Sequence, residues 1–210
     1  LTDVTFSGNT ANEVGGGMAL SSFSNPTLTG VTFSNNTADW GGGGMYLYSS
    51  SPTLTDVTFS GNTTEEYGGG MYLWESSPTL TDVTFSNNGA IEGGGMGLYY
   101  HSSPTLIDVI FSNNGASIGG GMYLRASNPT LTSISFSGNM AIEGGGMFIK
   151  YSNPTLTDVT FTNNLAEDDG GGMSINASNT TIINSILWGN SPQEIYFSLG
   201  LGANSTELTI

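Results

Sequence analysis

The chain contains no cysteine, which excludes disulfide staples, a thiol nucleophile and a thiolate-bound zinc. Positive charge is nearly absent. Arg125 and Lys150 stand against 17 acidic residues, for a formal net charge of −15. Nucleic acid and anionic membrane surfaces both require clustered Lys and Arg, so neither is an expected partner. The excess negative charge instead favours solubility and contact with cations. Charged residues total only 9 %, against about 25 % in an average soluble domain. Apolar runs are short as well; none approaches the ~18 residues of a membrane-spanning helix, so direct insertion is not expected. No secretory leader is visible, and the chain opens at Leu1, inside a repeat. It reads as a piece trimmed from something longer, or as a stack whose first coil is open.

The place of the missing charge is taken by Gly, Ser, Thr and Asn. Disordered chains are also polar, but they are poor in aromatic and β-branched residues. Here those residues recur at fixed places. Proline returns at Pro26, Pro52, Pro78, Pro104, Pro129 and Pro154, at spacings of 26, 26, 26, 25 and 25. Phe returns at Phe6, Phe33, Phe59, Phe85, Phe111, Phe136 and Phe161, with Leu187 in the eighth place. Met follows a glycine triplet at Met18, Met45, Met71, Met96, Met122, Met147 and Met173. Asn recurs at Asn9, Asn36, Asn62, Asn88, Asn114, Asn139, Asn164 and Asn190. The period matches neither the ~40 residues of a propeller blade nor the 33–34 of ankyrin and tetratricopeptide repeats. Glycine triplets would cost a helix about 1 kcal/mol per residue.

Three short strands per repeat account for the pattern. In Gly44 to Tyr48, Met45 and Leu47 alternate with Tyr46 and Tyr48; in Pro52 to Thr55, Leu54 points inward; in Val57 to Phe59, Val57 and Phe59 do so. Thr55 and Asp56 are adjacent outward residues, so alternation breaks and the chain must bend. Asp56 is the expected bend residue, because Asp tolerates the left-handed region. The Ser-Gly-Asn run after Phe59 makes the next corner, and a loop of variable length leads to the glycine triplet. Coiling these strands sets each above its copy ~4.8 Å away in parallel pairing. The expected fold is an all-β, right-handed parallel β-helix of about eight coils of 25–27 residues, forming a rod on the order of 35–40 Å long. The Asn column reads as an amide ladder that satisfies corner backbone groups. Residues 1–190 form the repeat domain. Residues 191–210 read as an irregular final coil or cap, with a strand expected from the alternation of Ile195, Phe197, Leu199 and Leu201 and further apolar positions at Leu208 and Ile210.

The motif Phe-Ser-x-Asn followed by Gly-Gly-Gly-Met resembles the FxxN and GGA[ILM] repeats of bacterial polymorphic outer-membrane proteins. The closing Asn-Ser-Ile-Leu-Trp-Gly-Asn (Asn184 to Asn190) resembles the end of the repeat region in bacterial β-helix proteins of the pectate-lyase-like superfamily. The similarity covers about Leu1 to Asn190 and is specific for fold rather than function, since that superfamily holds lyases, adhesins, autotransporter passengers and tailspikes alike. The resemblance implies secretion and a role in adhesion or surface display at the outer cell surface. One departure is consistent: the family's GGA is Gly-Gly-Gly in all seven triplets here.

Several residue sets are candidates for chemistry. The recurring Asp3, Asp56, Asp82, Asp108 and Asp158 read first as bend formers. A Ca²⁺ relieving repulsion between stacked Asp56, Asp82 and Asp108 is the functional alternative, and no other cofactor is expected. A second acidic set, Glu13, Asp39, Glu66, Glu92, Glu143, Asp168 and Asp169, reads as a solvated face or as a cation bridge between chains. Tyr46, Tyr48, Tyr72, Trp74, Tyr99, Tyr123 and Phe148 read as an outward aromatic strip. Such a strip stacks on sugar rings or docks a protein, unless it serves only to strengthen the sheet. Arg125 and Lys150 continue one of its columns and suit an acidic partner. Outward Thr ranks resemble those of ice-binding solenoids, though Thr is also a good strand residue. His101, the single histidine, lies in a longer loop with no triad partner.

Non-catalytic, structural or adhesive work outside a cell is the leading expectation, with end-to-end self-association or attachment to flanking segments of a longer chain. An uncapped coil exposes strand edges that invite another chain, giving a head-to-tail filament. Glycan binding through the aromatic strip is the alternative. A polysaccharide lyase or hydrolase ranks last, because Arg, Lys and His are so scarce.

Overall fold

The computed structural model describes residues 1–198 and the strand Glu207–Thr209. Its largest sheet grows from the Pro-Thr-Leu-Thr-Asp-Val-Thr-Phe-Ser segment. In Thr53–Ser60 and Thr79–Ser86 this segment is one continuous strand. Elsewhere it divides into two, as in Thr27–Thr29 and Thr32–Ser34. The bend lies at the expected place: Asp56 has φ 53°, Asp82 54°, Asp108 54° and Asp158 55°. Where the repeat lacks Asp, the same conformation falls to Gly30, Ser133 and Asn184. The residue before each ladder Asn is likewise left-handed, from Asn163 at φ 53° to Gly189 at 70°, which turns the chain out of this sheet.

Strands pair in parallel with like above like. Leu54, Val57 and Phe59 face Leu80, Val83 and Phe85, and Met45 and Leu47 face Met71 and Leu73. The Gly-Met strands, such as Met45–Tyr48, form a second sheet of eight strands. A third, corner sheet of seven short strands forms where a loop was expected, after the ladder Asn, for example at Thr37–Ala38 and Gly89–Glu92. The sequence hid it because its residues vary from coil to coil. Conversely, two of the three expected strands belong to one sheet. The expected eight coils are about seven complete turns and a partial one. No helix occurs among the described residues. Ile195–Ser198 continues the Met sheet in register, with Ile195 above Met173. Glu207–Thr209 pairs with Asn179–Ile183. The rest of the expected terminal strand, at Leu199 and Leu201, lies outside the described residues, as does Ile210.

Leu, Val, Phe and Met columns fill a single interior. Adjacent Phe rings from Phe6 to Phe161 stack at 4.6–5.0 Å and within 6° of parallel. Burying each contributes about 1.5–3 kcal/mol. The amide ladder is fully satisfied. Asn36 donates from its backbone N–H and its Nδ2 to Asn62 Oδ1, both at 3.0 Å, and Nδ2 also donates to the Phe6 carbonyl at 2.9 Å. The same three bonds repeat at Asn62, Asn88, Asn114, Asn139 and Asn164. Asn190 closes the ladder on the Phe161 carbonyl and Glu194, while Asn9 begins it by donating to Asn36. A serine ladder two residues before each proline escaped the sequence reading. The Ser50 N–H donates to Ser76 Oγ at 3.0 Å and the Ser76 N–H to Ser102 Oγ at 3.1 Å.

The third glycine of each triplet has a packing reason. A Cβ on Gly44 would lie 2.6 Å from the Gly70 carbonyl oxygen and 2.9 Å from the Phe59 ring. Alanine there would collide with the stacked Phe column, so the tight ring stack and the all-glycine triplet go together.

Candidate functional site

Outward residues of the Met sheet stand in two columns. One runs through Tyr46, Tyr72, Gly97, Tyr123 and Phe148, the other through Tyr48, Trp74, Tyr99, Arg125 and Lys150. The expected exposed aromatic strip is only partly present. Tyr72, Tyr99, Tyr123 and Phe148 are buried in a second, smaller apolar cluster. The corner segments fold back over the first column, bringing Tyr67 and Ile118 against it. Gly97 leaves a gap in that column, and Tyr99 leans out of its own column to fill it, its ring 3.4 Å from where a Gly97 Cβ would stand. Those four residues are therefore packing groups rather than a contact surface. Tyr48 remains exposed, and Tyr46 and Trp74 are half-buried.

Burial governs the chemistry of this cluster. Desolvation pushes the Tyr99 phenol far above its ordinary range, helped by the hydrogen bond it donates to Glu92. Desolvation likewise raises Tyr72 and Tyr123, and more gently Tyr46 and Tyr67. The Tyr72 hydroxyl is buried and has no hydrogen-bond partner among the described residues.

Two solvent-facing features remain on this side of the rod. The first is a row beside the proline turn. Trp74 and Tyr100 lie 4.4 Å apart, the Arg125 guanidinium is 5.9 Å from the Tyr100 ring, and Lys150 Nζ is 5.7 Å from the Tyr151 ring. Tyr48 adjoins Trp74 in the sheet. Tyr100 and Tyr151 were missed in the sequence because they fall in turns, at φ 45° and 52°, where alternation gives no direction.

The second is a cleft of about 570 Å³ over the first three turns, walled by Trp40 and Tyr46 and by Glu13, Asp39, Glu65 and Glu66. The corner strands are two residues long there, at Thr10–Ala11, Thr37–Ala38 and Thr63–Thr64, and irregular rungs carry the chain on from them. Trp40 stands edge-on to Tyr67 and Tyr72, at 5.8 and 6.1 Å. Trp40 stands where the turns on either side carry Glu13 and Glu66, and that exchange was the signal available in the sequence.

The other expected sites are placed as follows. Asp56, Asp82 and Asp108 are exposed at successive bends. Among the described residues no three acidic or histidine side chains converge as a metal site requires, so the calcium reading has no ligand set behind it. The Thr ranks stack in register from Thr27 to Thr181, with Ile107 and Ile183 interrupting the neighbouring rank. His101 is exposed in its turn.

A family model described as a right-handed β-helix region matches residues 2–147 and 76–210, which together span nearly the whole chain. No curated protein matches the chain.

Proposed function

The chain belongs to the right-handed β-helix family, and from that premise we propose that it is a non-catalytic structural and adhesive rod working outside the cell, which grips an acidic glycan along one flank. The observation that carries this reading is the row of Tyr48, Trp74 and Tyr100 running on to Arg125 and Lys150 in the next two turns. Aromatic faces stack on sugar rings; Tyr48 and Trp74 lie on a parallel sheet that keeps their spacing fixed, and Tyr100 stands in the turn just after it. The chain's only two permanent cations stand at the end of that row, where sugar carboxylates or sulfates would meet them. On a molecule of net charge −15, their placement together on one face favours an acidic ligand over a neutral one.

Screening the protein on an array of neutral and acidic glycans tests this. Binding to acidic chains is expected, with the double variant Trp74→Ala/Tyr100→Ala losing at least about tenfold in affinity, of the order that base or ring stacking supplies elsewhere. Arg125→Ala/Lys150→Ala is expected to erase the preference for acidic over neutral sugars. Absence of signal on every glycan sinks the reading.

End-to-end association is the companion proposal. Thr5–Ser7 and Met18–Ser21 pair on one side only among the described residues, and another copy or a flanking segment that continues the same register suits those edges. Imaging at high concentration is expected to show rods joined end to end; dispersed single particles would rule it out.

A further inference from the structure

The cleft over the first three turns shares no lining residue with the Trp74–Tyr100 row and owes nothing to the glycan reading. We propose that it is a binding site for an organic cation of the polyamine or alkylammonium class, held between the Trp40 and Tyr46 rings and neutralised by Glu13, Asp39, Glu65 and Glu66. Two independent features converge on this ligand chemistry. Aromatic faces attract cations through the ring quadrupole, most strongly Trp. Four carboxylates share the same walls, and neither Arg125 nor Lys150 lines them. A volume of about 570 Å³ falls within the roughly 300–1,000 Å³ of small-molecule sites, far more than a bare metal ion fills. A bare ion would also need converging charged ligands, and no three acidic or histidine side chains are placed to hold one among the described residues.

The site is held in shape before a ligand arrives. The Trp40 N–H donates to the Glu13 carbonyl at 2.8 Å, and the Trp40 carbonyl accepts from the Tyr67 N–H at 3.2 Å. The Asp39 N–H donates to the Ala11 carbonyl at 3.2 Å, and the Glu66 carbonyl accepts from Ile91 and Glu92 at 3.0 and 2.9 Å. Backbone rungs from both neighbouring turns thus fix the walls, which lowers the ordering cost of binding. Gly41 contributes by having no side chain. A Cβ there would lie 2.8 Å from the Tyr72 ring, so glycine lets Tyr72 pack close behind Trp40 and Tyr46, 6.1 and 5.5 Å from them.

Titration calorimetry of the whole chain with spermidine, using Ca²⁺ and maltohexaose as comparison probes, tests the proposal. One spermidine per chain is expected, weakened at least about tenfold by Trp40→Ala, by the exposed pair Asp39→Asn/Glu65→Gln, and by raising salt from about 0.05 to 0.5 M. Because Trp40 packs on Tyr67 and Tyr72, its variant is paired with the carboxylate variant, whose side chains are exposed and whose fold is expected to be intact by circular dichroism. Trp74→Ala/Tyr100→Ala is expected to leave spermidine binding unchanged, which separates this site from the glycan row. No spermidine binding, Ca²⁺ competing at equal concentration, tighter binding of maltohexaose, or full affinity in either cleft variant would each overturn it.

Discussion

Along the corner face, the first three turns differ from the four that follow, although both stand on the same interior. In the first three the corner strand is two residues long, and the segment after it walls a cleft with carboxylates, Trp40 and Tyr46. In the later turns the strand runs on for four or five residues, at Gly89–Glu92, Gly115–Ile118, Met140–Glu143 and Leu165–Asp169. There exposed apolar side chains gather, with Ile91 45 %, Met140 56 %, Ile142 41 % and Leu165 40 % exposed, and Glu167 beside them. Beneath both halves the Phe, Met and Asn columns continue without a break. The interior tolerates no change of spacing, because every ring and amide must sit over its copy. The corner lies outside that constraint, so its length and composition are free to vary, and surface chemistry differs there first.

If the interior is truly uniform, the same lesion must cost the same in either half. Asn62→Ala and Asn139→Ala each strand the donors of the turn below, those of Asn36 and Asn114, and one Phe carbonyl. Each is expected to lower stability by about 3 kcal/mol, since buried groups left unpaired cost roughly 1–3 kcal/mol apiece. Urea unfolding measures both, and a difference of more than about 1.5 kcal/mol between them would show that the halves are not energetically alike.

The buried tyrosines sharpen the comparison through pH. Their folded-state pKa values are raised by desolvation, so the proton stays on in the folded chain. The stability they contribute is complete below the unfolded tyrosine pKa of about 10 and declines as pH rises above it. Melting temperature is expected to hold level from neutral pH to about 10 and then fall. A flat profile to pH 12 would mean that the cluster opens to water.

A smaller effect separates two members of that cluster. Among the described residues the Tyr72 hydroxyl is unpaired, whereas Tyr99 donates to Glu92. Tyr72→Phe is expected to leave stability unchanged or raise it by about 1 kcal/mol, while Tyr99→Phe lowers it by about 1–2 kcal/mol. Thermal unfolding of the two variants side by side is the measurement, and a cost at Tyr72 would reveal a partner for its hydroxyl.

The sequence was most legible where repetition and packing agree. Asp56 announced its left-handed bend, and Asn62 announced its ladder, because both roles depend on local chemistry and recur every turn. The aromatic positions were legible only as to face. Tyr72 and Tyr99 do point away from the main interior, as alternation requires, but a segment distant along the turn covers them. Gly97 then draws Tyr99 sideways, an event that no period records. Trp40 and Tyr100 carried the two solvent-facing features, yet both sit where the repeat varies or turns, and alternation is silent there.

By itself, the order of residues determined a parallel stack of like upon like: the period, the inward columns, the bends and the amide ladder all follow from alternation, turn chemistry and the need to satisfy buried polar groups. Tertiary structure alone decided which outward residues meet solvent, where the corner sheet forms, and that Trp40, Tyr46 and four carboxylates share one cleft. The reason is that burial of an outward side chain depends on the path of a neighbouring segment, and that path is set in three dimensions rather than by the local pattern.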